Sequence, residues 1–236
     1  ITTVPLRRSD LLPRTLASLR LAGFDKPRLF VDGIDSACQS AYTSEFGLEV
    51  TSRNPSIRMY GNWILGIAEL YIRNPLADRF AMFQDDFVTY INLRAYLEKV
   101  PYPDNGYLNL YTFPENQALC PLNPDTRKQR VGWYLANQYG KGAVALVFTR
   151  EVLKWIRYHP HIGDIVEDPR RGWRCIDGGV VDSARKVGIK EYVHNPTLVH
   201  HTGLISTLKH RYPSDTSFRG ENFDAMDLLT EQSRRC

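Results

Sequence analysis

Two adjacent carboxylates, Asp85 and Asp86, interrupt the apolar stretch "FAMFQDDFVTY" between Phe80 and Tyr90. Removing two neighbouring negative charges from water costs several kcal/mol unless something positive compensates, and a divalent cation bridging to phosphates is a natural compensator. Oxygen ligands suit Mg²⁺ or Mn²⁺, and one imidazole shifts the choice toward Mn²⁺. The chain offers imidazoles late, at His200 and His201 in "TLVHHTG". Alternation along a strand sends these two rings to opposite faces, so at most one reaches a shared site. The plainer reading of Asp85 and Asp86 is that they cap a turn into a following helix.

These residues need a scaffold that gathers them. "ITTVPL" reads as a short strand, followed by a helix from Ser9 carrying Leu11, Leu12, Leu16 and Leu19 and ending at Gly23. "RLFVDG" reads as a buried strand turning at Asp32 and Gly33, then a helix over 36–44, a strand at "LEVT" and a long helix in "GNWILGIAELYIR" leading to "FAMFQ". Strands alternating with helices indicate βαβ units and a largely parallel sheet. In such a sheet ligands collect at the carboxyl ends of the strands, where Asp32, the Asp85/Asp86 pair and the His200/His201 pair all fall. The middle is rich in proline and asparagine around one strand, "GYLNLYT". Beyond it come a strand in "KGAVALVFT", a helix in "REVLKWIRY", a helix in "IDGGVVDSARKVG" and one strand in "YVHNPTLVHH".

At 236 residues, with 43% hydrophobic and 24% charged residues, the composition suits one folded core and suggests neither a largely disordered chain nor a coiled coil. No apolar run reaches the ~18 residues of a membrane span, so a soluble domain is expected, with the cytoplasm as the favoured compartment. The net charge of +4 is spread along the chain, which argues against general nucleic-acid binding and suits a phosphate-bearing substrate. Cys38, Cys120, Cys175 and Cys236 form no CxxC pair, which argues against a zinc knuckle or thioredoxin-like motif and reads as scattered thiols, while disulfides stay open.

The order of features resembles that of nucleotide-sugar-dependent glycosyltransferases of the GT-A fold. It is carried by "TTVPLRR", "FVDG", "FQDD", "GKGAVALVF", "IDGGVVD" and "VHHTG", over about residues 1 to 210. The resemblance implies a single α/β, Rossmann-like domain with a mixed, mostly parallel central sheet flanked by helices. Residues 1–100 would form the nucleotide-sugar half, 101–205 the acceptor half and 206–236 a flexible basic tail or lid. In that family an Asp-x-Asp-like motif binds Mn²⁺ and the donor diphosphate, and a late His completes the metal shell. Here Gln84 replaces the first acid, which leaves Asp86 as the direct ligand beside His201, with Asp85 at the donor ribose or a metal-bound water.

The same resemblance places Thr3, Pro5, Arg7, Asp32, Arg58 and Asn62 around the donor, a UDP-sugar being the first expectation. Asp32 is otherwise a turn residue and Asn62 a helix cap. Asp177, at the start of its helix, would deprotonate the acceptor hydroxyl in an inverting reaction, or else serve as an N-cap. Gly178 and Gly179 would keep the approach to it open. Asp182, five residues on, points elsewhere and is expected to be solvated or paired. Lys209 and Arg211 in "STLKHRYPSD" either close over the diphosphate or belong to a loose basic tail. Trp133, Tyr134 and Trp173 could form a stacking platform for a carbohydrate or glycosylated acceptor, or simply be core. Two competing readings are a sugar-nucleotide nucleotidyltransferase, which would want a glycine-rich loop where "VPLRRSDLLP" has none, and a silent binding module of the same fold.

Overall fold

The computed structural model describes residues 1–117, 130–158, 176–203 and 217–233. The chain opens with β1 (Thr2–Thr3), a 3₁₀ turn at Pro5–Arg7, α1 (Leu11–Leu21), β2 (Leu29–Asp32), α2 (Ser36–Phe46), β3 (Val50–Arg53) and α3 (Arg58–Arg73). Asp10, rather than Ser9, caps α1, its carboxylate accepting the Leu11 N–H. Asp35 caps α2 by accepting from Cys38 N–H at 2.8 Å. Next come β4 (Arg79–Phe83), β5 (Phe87–Thr89), α4 (Leu93–Lys99), β6 (Gly106–Asn109), β7 (Gly132–Leu135), β8 (Ala145–Thr149) and α5 (Arg150–Tyr158). The chain closes with α6 (Ile176–Lys186), β9 (Lys190–Asn195), β10 (Val199–His201) and α7 (Asp227–Ser233).

The strands form three ladders. β1, β2 and β3 pair in that order, all parallel. β4, β8, β6, β9 and β7 form a five-stranded sheet in which β6–β9 is parallel and the other three pairs are antiparallel. β5 and β10 make a short antiparallel pair. The expected mixed α/β architecture is present, with parallel pairing concentrated in the amino-terminal ladder. The Thr2 hydroxyl donates to the Phe83 carbonyl at 3.3 Å, linking β1 to the end of β4.

Strand alternation divides the core between two faces of the sheet. Val31, Phe83 and Val147 pack with Leu12, Leu97 and Leu228 of α1, α4 and α7. Phe30, Met82 and Phe148 pack with Trp63, Leu153 and Val180 of α3, α5 and α6. This is a helix–sheet–helix sandwich, and truncating any of these fully buried side chains to Ala would cost about 2–5 kcal/mol.

Three sequence expectations change. The run "YVHNPTLVHH" makes two strands, because Pro196 has no N–H for a ladder and the chain turns between β9 and β10. Asp85 and Asp86 lead from β4 into β5, so they cap no helix. The carboxyl-terminal segment is also not a loose tail over its described part. Phe218 stacks on Tyr90 at 4.8 Å, Ala225 and Leu228 are fully buried, and the Ile91 carbonyl accepts from Ala225 N–H at 2.9 Å. Apolar residues spaced among the charges of "SFRGENFDAMDLL" supply that docking face.

Candidate functional site

α1 fixes the start of β5. The free edge of that strand meets two buried hydroxyls on one face of the helix, Thr15 and Ser18. Thr15 Oγ1 accepts from Phe87 N–H at 3.2 Å and lies 2.9 and 2.8 Å from the carbonyls of Asp85 and Phe87. Ser18 Oγ accepts from Thr89 N–H at 2.8 Å. A buried strand edge without partners would be costly, so two polar residues in an otherwise apolar helix stripe have a physical reason. On its other edge β5 pairs with β10, His201 opposite Phe87, and Thr202 N–H donates to the Asp86 carbonyl at 2.8 Å. That extension of the ladder brings the late histidine to the carboxylate pair.

The two carboxylates have different surroundings. Thr3 Oγ1 donates to Asp85 Oδ2 at 2.5 Å. Burial pushes the Asp85 carboxyl up from 3.8 to about 6; the Thr3 hydrogen bond opposes this, Asp86 adds to it, and Arg7 opposes it. Asp86 Oδ2 lies 3.2 Å from His201 Nε2 and 3.8 Å from Arg7 Nη2. Asp86 is only 5% exposed, and its Oδ1 has no hydrogen-bond partner among the described residues. Of the histidine pair, His201 is buried, while His200 is on the opposite side stacked at 5.4 Å on Phe218, as strand alternation requires.

A divalent ion fits this arrangement. Two adjacent ligands of an octahedral ion at about 2.1 Å stand about 3 Å apart, close to the Asp86–His201 separation, and an unsatisfied buried carboxylate oxygen is costly without a cation. Among the described residues no group of three or more His, Cys, Asp or Glu side chains gathers around one point. Asp86 and His201 are the two side chains described here that could hold such an ion, and Mg²⁺ or Mn²⁺ commonly completes its shell with phosphate oxygens and water. Gly203 makes room for the pair, since a Cβ there would lie 2.8 Å from His201 Cε1 and 3.4 Å from Asp86 Oδ2.

Of the other candidate residues, Thr3 and Arg7 meet the carboxylates and Pro5 lies exposed in the 3₁₀ turn between them. Asp32 is buried with both oxygens occupied, accepting from Ser56 Oγ at 2.5 Å and Ile57 N–H at 2.8 Å, so it braces the turn before α3. Arg58, exposed with φ of 64°, starts that helix. Asn62 is no helix cap: it is buried within α3 and its amide donates to the Phe30 carbonyl at 2.8 Å. Gln84 turns away from the carboxylates, donating to the Ala143 carbonyl at 3.0 Å.

Trp133 and Tyr134 do not form a shared platform. As consecutive residues of the edge strand β7 they face opposite sides. Trp133 packs edge-on against His194 at 4.8 Å, while the Tyr134 hydroxyl donates to the Arg130 carbonyl at 2.5 Å. Trp173, Lys209 and Arg211 lie outside the described residues, as do Cys120, Cys175 and Cys236; Cys38 is an exposed free thiol. Asp177 is in the first turn of α6, and its side chain also lies outside those described. Asp182 is paired, 2.9 Å from Arg185 Nη2. Gly179 has a packing role: a Cβ there would lie 2.6 Å from the Tyr60 hydroxyl, so this glycine lets α6 approach α3.

Sequence reasoning missed Thr15 and Ser18, which it could have found as polar positions within the Leu12–Leu19 stripe. A cleft of about 940 Å³, lined by Phe24, Arg28, Leu48 and Phe80 among others, opens at the amino ends of the strands and includes none of the candidate site residues. No helix among the described residues is long and apolar enough to cross a membrane.

No protein-family model matches the chain, and no curated protein matches it. Among solved structures it is similar to the nucleoside-diphosphate-sugar pyrophosphorylase from Vibrio cholerae RC9, with 10% identity and a TM-score of 0.43, over 82% of this chain and 83% of that one. The functional reading rests on the geometry of the site itself.

Proposed function

We propose that the chain is an enzyme acting on a nucleoside-diphosphate sugar with a divalent cation, Mn²⁺ or Mg²⁺, and that the reaction is glycosyl transfer to an acceptor hydroxyl. The observation that carries this is the buried Oδ1 of Asp86, which has no hydrogen-bond partner among the described residues, in a carboxylate that also faces His201 and Arg7. A cation at Asp86 and His201 would neutralise charge on the departing nucleoside diphosphate. Arg7 adds a fixed positive charge on the β1 side of the site, suited to a phosphate oxygen. Thr3 holds Asp85 in place, leaving that carboxyl to face the donor ribose or water. Asp177 is the proposed base, positioned by the start of α6.

Nucleotidyl transfer, with pyrophosphate as co-substrate, would use the same carboxylates and cation. The turn after β1, "VPLRRSDLLP", contains no glycine to wrap a triphosphate closely, which favours glycosyl transfer. Thermal-shift titration with UDP, GDP and ADP, with and without Mn²⁺, tests the common part. The expected result is a nucleotide-dependent rise in Tm that needs Mn²⁺ and disappears in Asp86→Ala; a panel with no such rise rejects the reading. Product analysis then separates the reactions. Release of nucleoside diphosphate from a nucleotide sugar supports glycosyl transfer, and formation of nucleoside triphosphate from nucleotide sugar and pyrophosphate supports the other. Asp177→Asn is expected to keep donor binding and lose transfer.

A further inference from the structure

The turn before β8, residues 137–142 in "NQYGKG", is built to display two side chains. Gln138, Gly140 and Gly142 have φ values of 63°, 65° and 80°, a left-handed conformation at every second residue. The intervening residues, Tyr139 and Lys141, are exposed, and neither side chain has a hydrogen-bond or ion-pair partner among the described residues.

Beneath this display the turn is fastened by amide side chains. Gln138 Nε2 donates to the carbonyls of Ala136 and Glu191, both at 2.9 Å, and its Oε1 accepts from Glu191 N–H at 3.0 Å. Asn137 Oδ1 accepts from Tyr139 N–H at 3.0 Å. The Lys141 carbonyl accepts from Asn109 Nδ2 at 3.1 Å, and Asn109 is fully buried. Gln84, immediately before the two carboxylates, donates to the carbonyl of Ala143, just past the turn. These bonds hold the turn in one conformation, so Tyr139 and Lys141 project from a fixed backbone.

The turn also lies beside the candidate site. A Cβ at Gly142 would lie 3.0 Å from Tyr111 Cδ1, the Tyr111 ring is 6.1 Å from that of His201, and His201 reaches Asp86. Because β8 runs antiparallel to β4, its start sits at the end of β4 that carries Asp85 and Asp86. Arg7 and Thr3 approach these carboxylates from β1, while the turn approaches from the five-stranded sheet on the other side. A second cation on that bank, away from Arg7, suits a ligand other than the donor diphosphate.

We propose that residues 137–142 form an acceptor subsite for an acidic glycan, in which Lys141 binds a carboxylate, sulfate or phosphate group and the Tyr139 ring stacks on the adjoining sugar; calling it an acceptor subsite rests on the glycosyl-transfer reading above. An ammonium on a rigid turn binds an anion with less ordering cost than one on a mobile loop, and a tyrosine ring offers an apolar face to a pyranose.

The test is retention of the full chain on an array of oligosaccharides bearing uronate, sialic acid, sulfate or phosphate groups beside their neutral counterparts. The wild type is expected to retain one acidic class over its neutral partner. Lys141→Gln should lose that retention about tenfold or more, as for one charge-assisted hydrogen bond, while Lys141→Arg keeps most of it and Tyr139→Ala weakens acidic and neutral partners alike. Equal retention of acidic and neutral glycans, no retention of any acidic glycan, or unchanged retention by Lys141→Gln overturns the proposal. Thermal shift with UDP and Mn²⁺ on the same preparations separates the two ideas. A Lys141-dependent acidic preference without a UDP–Mn²⁺ shift leaves the subsite standing and rejects the nucleotide reading, and the reverse pair of results does the opposite.

Discussion

His201 Nε2 lies 3.2 Å from Asp86 Oδ2, although the two residues come from distant parts of the chain. The contact follows from a ladder: β10 runs antiparallel to β5, and the Thr202 N–H reaches past its end to the Asp86 carbonyl. If the pair holds a divalent ion, His201→Ala should weaken Mn²⁺ binding about tenfold or more. The β5–β10 pairing, made by backbone groups, should survive. Isothermal titration of Mn²⁺ in the presence of UDP, alongside a circular dichroism spectrum, checks both halves. Unchanged affinity in a folded variant would remove His201 from the metal site.

Gly203 gives a second route to the same pair without removing either side chain. An added Cβ would stand 2.8 Å from His201 Cε1, closer than real Cβ contacts come, so the imidazole must move. Gly203→Ala is expected to cost about 1–3 kcal/mol through overpacking and to lower Mn²⁺-dependent stabilisation by nucleotide. Urea unfolding and nucleotide thermal shift measure the two effects separately. A variant with wild-type nucleotide stabilisation would show that the His201 position does not matter to binding.

Asp85 predicts a pH dependence with a definite sign. Its folded carboxyl titrates near 6 against an ordinary 3.8, so between those values the folded state holds the proton more tightly than the unfolded state. Stability contributed by this group is therefore lost as pH rises from about 4 to about 6, and the full cost above that window is at most about 3 kcal/mol. Asp85→Asn keeps an acceptor for Thr3 and removes the charge. In chelator-containing buffer its stability relative to wild type should rise across this window and level off above pH 7, as read from urea midpoints. A constant difference across pH would refute the assignment.

Much of the helix–strand order was readable because it rests on local signals: the apolar run in "RLFVDG", the apolar stripe of α3 and the turn at Gly33. What escaped were features set by distant partners. α4 was missed because "LRAYLEK" is short, and its buried Leu93, Tyr96 and Leu97 pack against a core assembled from the rest of the chain. β7 was missed because only its pairing with β9 makes it a strand. Within the site, the different surroundings of Asp85 and Asp86 come from Thr3 and His201, far away in sequence. Asp32 looked available until the turn before α3 occupied both its oxygens. Trp133 and Tyr134 invited a platform reading from composition, and strand alternation separates them.

His194 supplies a pH effect opposite to that of Asp85. It is fully buried, with Nδ1 2.6 Å from the Pro196 carbonyl and Nε2 2.6 Å from the Tyr96 hydroxyl. The ring is therefore neutral, donating from Nδ1 to Pro196 and accepting from Tyr96 at Nε2, while the Tyr96 hydroxyl accepts from Gln232 of α7 at 3.2 Å. Burial lowers the His194 pKa from 6.5 to about 4; the Pro196 carbonyl opposes this and Arg219 adds to it. The unfolded chain binds the proton first, so this group's contribution is full above about pH 6.5 and is lost as pH falls toward 4, by about 3 kcal/mol in all. His194→Gln removes that titration, at a constant cost from the disturbed Tyr96 network. Its stability deficit relative to wild type should be greatest at pH 7 and shrink steadily down to pH 4, whereas a deficit of the same size at both pH values would show that His194 does not titrate on unfolding.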